Sequence, residues 1–277
     1  MKNLKNYIKD YINENYLDES VWDIEDNIED DNKELMLDSA KKFIEDNYDR
    51  IDFDYCEFIF DEKKDKYVVN YDHHADLNPN SDALTNEAFE WGTVGGSFDC
   101  SESSITTLEG APEVVDSEFN CCRCKNLTSL QGAPEKVGGS FNCSNCSKLE
   151  SLEGAPKYVD GSFICTYCSE LESLKGAPEK IGESFSCSNC PKLTSLEGAP
   201  KKVGGAFRCM ECEKLESLEG APKKVGGGFN CVGCNKLSSL KGAPKEVGRN
   251  FNCVGCSNLH SLDGIGKVKG RIFSDVR

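Results

Sequence analysis

Three histidines, three methionines and two tryptophans are all that 277 residues contain of these types, and basic residues are outnumbered, 32 against 48 acidic, for a net charge of −16. The first absence leaves little material for general acid–base work, and no nucleophile elbow, phosphate loop or H-E-x-x-H occurs. No enzyme and no cofactor are expected. His73 and His74 beside Asp72 and Asp76 read as a polar loop, and His260 lies outside the apolar pattern. The second absence is uneven. Residues 1–65 hold 9 basic and 21 acidic side chains, a net −12, and the remainder of the chain only −4. Phosphate binding needs a basic surface, so direct nucleic-acid contact is not expected, and the partner that fits is a protein with a basic surface. Long apolar runs are also missing. No stretch suits a signal peptide or a membrane span, so the expectation is a soluble cytoplasmic protein with no membrane partner.

What the chain has in excess is cysteine, 17 residues, arranged in a repeat. Phe98, Phe119, Phe141, Phe163, Phe185, Phe207, Phe229, Phe251 and Phe273 recur at a spacing of 21 and then steadily 22. A period of this size marks a solenoid, whose units cannot bury their own apolar side and must stack. The unit reads F-x-C-x-x-C-x-x-L-x-S-L-x-G-A-P-x-x-V-G-G-x. Side chains alternate along a strand, so the Phe and first Cys of F-x-C face one way and the residue between them the other. Leucines such as Leu149 and Leu152 extend the lining, and Gly-Ala-Pro and Gly-Gly turn the chain. The Gly-Gly pairs therefore read as corners.

Cys143, Cys146, Cys165 and Cys168 match the spacing of a zinc ribbon, but the period generates that match by itself. The seven C-x-x-C pairs cannot all be matched two by two. Buried thiol ladders are the leading reading, since free cysteine packs as a small hydrophobe; metal and disulfides are the alternatives. The first repeat, FDCSESSITTLEGAP, puts Ser103 in place of the second cysteine and brings Ile105 one position forward, and there the period shortens to 21.

Phe141, Cys143, Cys146 and Leu149, as F-x-C-x-x-C-x-x-L, resemble the cysteine variant of the leucine-rich repeat. The paired change at Ser103 and Ile105 resembles that family's switch to its shorter form. Runs such as LTSLEGAPKKVGGAFRC are similar to short repeats of bacteriophage and prophage proteins. The resemblance covers about residues 66–277. It implies a β-solenoid of about nine coils of 21–22 residues with a parallel sheet, Asn or Cys side chains that bond the turning backbone, and a role in recognition.

The amino-terminal part is built differently. Leu4, Tyr7, Ile8, Tyr11 and Ile12 have helical spacing, Ser20 is placed to cap a second helix with Val21, Trp22, Ile24 and Ile28, and a third contains Met36, Ala40, Phe43 and Ile44. DYCEFIF and KYVVNY alternate around DEKKD as a β-hairpin. The expected division is a small acidic helical domain over 1–65, ending in a hairpin strand, a capping coil over 66–97 and the solenoid over 98–277.

Outward positions of the F-x-C strand are mostly Asn or Ser, so departures from that background mark candidate contacts: Arg123, Ile164, Tyr167, Arg208, Met210 and Glu211. Asp23, Glu25, Asp26, Glu29, Asp30 and Asp31 form a second candidate contact, as partners for basic side chains. The function expected is a non-enzymatic protein-binding module, phage-derived, that inhibits a nucleic-acid-binding host defence protein such as a CRISPR-type effector. The alternatives are a metal- or redox-active protein using C-x-x-C pairs and a structural component of a virion.

Overall fold

The repeat folds as a β-solenoid. The computed structural model describes residues 22–48, 51–72, 79, 84, 85 and 87–276, with side chains from residue 32 onward. Each coil of about 22 residues contributes two two-residue strands, as Phe141–Asn142 and Lys136–Val137 do. Strands of the first kind stack into a nine-stranded parallel sheet, here the phenylalanine sheet, and strands of the second kind into the valine sheet. The sequence pattern pointed to one parallel sheet. The second escaped it because Lys-Val offers a single inside–outside alternation, too short to register as a period.

The core follows from the unit. Phe141, Cys143, Cys146, Leu149, Leu152 and Val137 are all fully buried, as are their equivalents in the central coils. The phenylalanine rings stack from Phe98 to Phe251 with centroids 5.1–5.6 Å apart and planes within 20° of parallel. Each ring excludes water from its neighbours, worth roughly 1.5–3 kcal/mol of burial per side chain. Coils approach closely at both corners, the Gly-Ala-Pro corner among them. Gly154 has φ +87°, and a Cβ there would lie 2.5 Å from the Gln131 amide nitrogen, so no other residue fits without moving backbone. The constant serine of L-x-S-L also has a local task, because Ser173 Oγ accepts from the Lys175 amide at 3.0 Å, and Ser239 Oγ from Lys241 at 3.1 Å.

The amino-terminal end is closed by a helix and a hairpin. Helix α1 (Trp22–Asn47) takes in both the second and the third expected helix as one element of 26 residues. Nothing between residues 22 and 47 is Gly or Pro, so no residue there stops it. The first expected helix, Leu4 to Ile12, lies outside the described residues, as do His73, His74 and Asp76. Strands β1 (Cys56–Asp61) and β2 (Lys66–Tyr71) form the antiparallel hairpin. Strand β3 (Phe89–Val94) pairs parallel with β2 and leads into the valine sheet. Tyr48, at the end of α1, packs on Trp91 and Phe98, accepts from Trp91 Nε1 at 2.8 Å and donates to the Leu84 carbonyl at 2.5 Å. An aromatic cluster thus covers the first ring of the stack.

At the other end the last phenylalanine falls out of step. Phe251 pairs with Ile272, and Phe273 pairs with outward-facing Asn252. The corner G-I-G-K-V is one residue shorter than G-A-P-K-E-V, so Val247 pairs with Val268 and the register moves by one. Phe273, taken from the sequence as the ninth beat of the stack, is therefore 40% exposed, and Ile272 occupies its place.

Candidate functional site

The outward side of the phenylalanine sheet carries three columns of side chains, at the first, third and fourth residues after Phe, as Asn142, Ser144 and Asn145 are after Phe141. The first is the residue after Phe, where Asn142, Ile164, Ser186 and Arg208 stand in register on consecutive strands. Asn is common here for a local reason. Asn142 Oδ1 accepts from the Ser144 amide at 3.0 Å, and Asn120, Asn230 and Asn252 make the same bond two residues on, at 3.1–3.2 Å. Ile164 and Arg208 cannot make it. In the Arg208 coil the orphaned amide of Met210 is met instead by Ser188 Oγ of the preceding coil, at 3.1 Å.

The third column matters most. Glu102, Arg123, Asn145, Tyr167, Asn189 and Glu211 all lie in the left-handed region with φ between +54° and +62°, and Gly233 and Gly255 continue the column at +72° and +76°. From Glu102 to Gly233 each backbone N–H there donates to a carbonyl of the next coil, as Tyr167 does to Ser188 at 3.0 Å, and the Gly255 N–H donates to the Asp275 carboxylate at 2.7 Å. The stacking fixes the conformation whatever the side chain. Gly and Asn tolerate it, whereas a bulky residue is strained by roughly 1–2 kcal/mol. Tyr167 sits there with 56% of its surface exposed, so its ring gains little burial in return.

The structure therefore brings together Ile164 and Tyr167 on one coil, and Arg208, Met210 and Glu211 two coils away, roughly 10 Å along the stack. Ile164, Arg208 and Met210 are half-buried and Glu211 is exposed. Arg123 lies two steps from Tyr167 in the left-handed column on the other side and already binds Glu102, Nη1 to Oε1 at 2.6 Å. The other candidate set is not brought to this face by any described contact. Asp23, Glu25, Asp26, Glu29, Asp30 and Asp31 are on the backbone of α1, but their side chains lie outside the described residues.

The thiols form a bonding ladder. The second cysteine of each coil donates to the carbonyl of the first cysteine one coil earlier: Cys146 to Cys121, Cys168 to Cys143, Cys190 to Cys165, Cys212 to Cys187, Cys234 to Cys209 and Cys256 to Cys231, at 3.0–3.3 Å. Cys124 donates likewise to the Cys100 carbonyl at 3.2 Å, and Ser103 Oγ adds a second bond to that carbonyl from within the first coil at 2.7 Å. A buried carbonyl left unpaired would destabilise the corner, and the thiol proton removes that penalty. Burial pushes Cys168 up to about 12 and the first cysteines, such as Cys143 and Cys165, well above the usual thiol range. All 17 are free, and no three His, Cys, Asp or Glu side chains among the described residues are grouped to hold a metal. Replacing Cys187 and Cys190 by alanine is expected to lower unfolding free energy by about 1–3 kcal/mol with no change in metal content. Zinc or iron present at one atom per chain and lost in the variant would contradict the ladder.

Two features of the surface were not found from the sequence. Tyr158 is 60% exposed on the valine sheet, and lysines collect on the same sheet toward the carboxyl-terminal coils. A column-by-column reading of the valine strands would have found the second. No helix among the described residues is long and apolar enough to cross a membrane. No protein-family model matches the chain, and comparison with curated proteins and with solved structures gives no match either.

Proposed function

We propose that this chain is a non-enzymatic protein-recognition module of the leucine-rich-repeat type, phage-derived, which works in the cytoplasm as an inhibitor of a nucleic-acid-binding host defence protein. The contact face is the outward side of the phenylalanine sheet around Ile164, Tyr167, Arg208, Met210 and Glu211, with Arg123 at its border. The acidic residues Asp23 to Asp31 supply attraction toward a basic partner.

The observation that carries this reading is Tyr167, a large aromatic side chain held exposed on a left-handed backbone position that Gly fills in two later coils. Strain of this sort persists where something other than folding selects it. Beside it the chain gives up the Asn-to-amide bond twice, at Ile164 and Arg208, in favour of side chains suited to anchoring a partner.

The test compares proteins retained from the native host's lysate by the wild type and by a variant with Ile164, Tyr167, Arg208 and Met210 all changed to Ala. A partner retained by the wild type is expected to be lost by the variant, with Tyr167→Ala or Arg208→Ala alone weakening it by about 2 kcal/mol. Equal retention by both proteins would show the face to be idle.

A further inference from the structure

The valine sheet is polarised in a way the net charge hides. Four six-residue segments that run through its strands in the first four coils, 113–118, 135–140, 157–162 and 179–184, hold 3 basic and 7 acidic residues. The equivalent segments of the last four, 201–206, 223–228, 245–250 and 266–271, hold 9 basic and 1 acidic. Lys180, Lys202 and Lys224 stand directly opposite one another on consecutive strands, all exposed. Like charges in register repel, and elsewhere the solenoid relieves this by placing Glu one coil from Lys, as in Lys157–Glu135 at 3.0 Å and Lys241–Glu219 at 2.8 Å. On the basic side that remedy is incomplete. Among the described residues Lys202, Lys223, Lys245, Lys267, Arg249 and Arg271 have no acidic partner within ion-pair distance.

We infer that this basic face receives the acidic start of α1 from a second copy of the chain, which joins molecules head to tail. Charge complementarity is supplied by the chain itself. Residues 22–31 of α1 contain six carboxylates and no basic residue. Spacing agrees too: Asp23, Asp26 and Asp30 are separated along a helix by about 4.5 and 6 Å, close to the ~4.8 Å step between lysines of adjacent coils. The helix cannot reach this face in its own molecule. It is anchored at the hairpin, where Lys33 binds Glu62 and its carbonyl accepts from Tyr67. Residues 22–31 extend only about 15 Å from there, whereas the Lys202 strand lies five strand steps beyond β3, roughly 24 Å. The contact is heterologous, so it joins molecules into rings or open chains in place of two-fold dimers. The basic face uses different strands from the phenylalanine-sheet face, while Asp23 to Asp31 serve in both readings, so the lysine variant separates the two.

Sedimentation velocity of the full chain at 50 mM and 500 mM salt tests the inference. The expected result is a weight-average mass that rises with protein concentration at low salt and returns to the monomer value at high salt. A variant with Lys202→Glu, Lys223→Glu and Lys245→Glu is expected to associate at least tenfold more weakly, as is one with Asp23→Lys, Asp26→Lys and Asp30→Lys. An equimolar mixture of the two should recover association, because each retains the complementary half. Circular dichroism verifies folding, and Lys→Gln at the same three lysines replaces the Glu variant if that fails to fold. A wild type that stays monomeric at low salt, or association indifferent to both sets of changes, overturns the inference. So does a labelled oligonucleotide that binds the monomeric wild type and not the Lys→Glu variant, which would assign the face to nucleic acid.

Discussion

Unfolding measured in urea under reducing conditions with a chelator is expected to show stability collapsing as the pH is raised from about 8.5 to 9.5. The first cysteine of every coil from Cys100 to Cys231, seven in all, is held protonated well above the ordinary thiol range, by burial at Cys100, Cys121, Cys143 and Cys165 and by the bond to the next coil's second thiol together with burial at Cys187, Cys209 and Cys231. Below about pH 8.5 both the folded and the unfolded chain carry these protons and the stability is fully present. Above it the unfolded chain releases them and the folded chain does not, so the unfolded state binds fewer protons and stability falls with rising pH. Each such thiol removes about 1.4 kcal/mol by pH 9.5; the bonds that raise Cys121, Cys187 and Cys231 lower their partners Cys146, Cys212 and Cys256, which offsets part of those three, and the other four, Cys100, Cys143, Cys165 and Cys209, together remove about 6 kcal/mol. That is comparable with the whole stability of a typical domain, about 5–15 kcal/mol. Thiolates bound to metal would give the opposite slope, because the folded state would then be the one that loses protons. Unfolding free energy that is flat or rising across this range would contradict the buried-thiol ladder.

Replacing Phe185 by alanine is expected to cost about 3–5 kcal/mol. The ring is fully buried between Phe163 at 5.6 Å and Phe207 at 5.2 Å, and no side chain from outside the stack can collapse into the gap. In a solenoid each coil contacts only its neighbours, so the defect interrupts the core at mid-length and uncouples the two halves. Urea unfolding should shift to lower midpoint and broaden or split into two steps. Ser186→Ala, on the opposite side of the same strand, should change stability by no more than about 0.5 kcal/mol. A loss below about 1 kcal/mol for Phe185→Ala would mean that the ring stack is not the principal source of cohesion.

The parts of this architecture that repeat were legible, and the parts that depend on a single residue were not. Phe, Cys, Cys, Leu and Leu recur every 22 positions, and from Phe119 to Leu259 the structure buries all of them. Phe273 broke the pattern because one residue missing from the preceding corner moves the register, and a residue count from Phe251 still gives 22. The merging of two expected helices into α1 reflects the absence of any stop signal in DNIEDDNKEL, a run whose high charge obscured its helical continuity. At the candidate site, Ile164 and Arg208 stood out against Asn, but why Asn is the background became clear only from its bond to the amide two residues on. The left-handed column left one trace in the sequence, Asn or Gly at the fourth residue after Phe in four of eight coils. Arg, Tyr and Glu at the others concealed it. The basic face was hidden by summation, since the acidic early coils offset the basic late ones to give −4 for residues 66–277.

Tyr167→Gly tests the central claim most directly, because it separates folding from recognition at one residue. Glycine relieves the strain of φ +59° but gives the unfolded chain more backbone entropy to lose on folding, and Gly233 and Gly255 already occupy the equivalent place. If Tyr167 is held for contact, urea unfolding of the variant should give a stability equal to the wild type or higher by about 0.5–1 kcal/mol, together with loss of the retained partner. A variant destabilised by more than about 1 kcal/mol that still retains the partner would make Tyr167 a packing residue and contradict the recognition face.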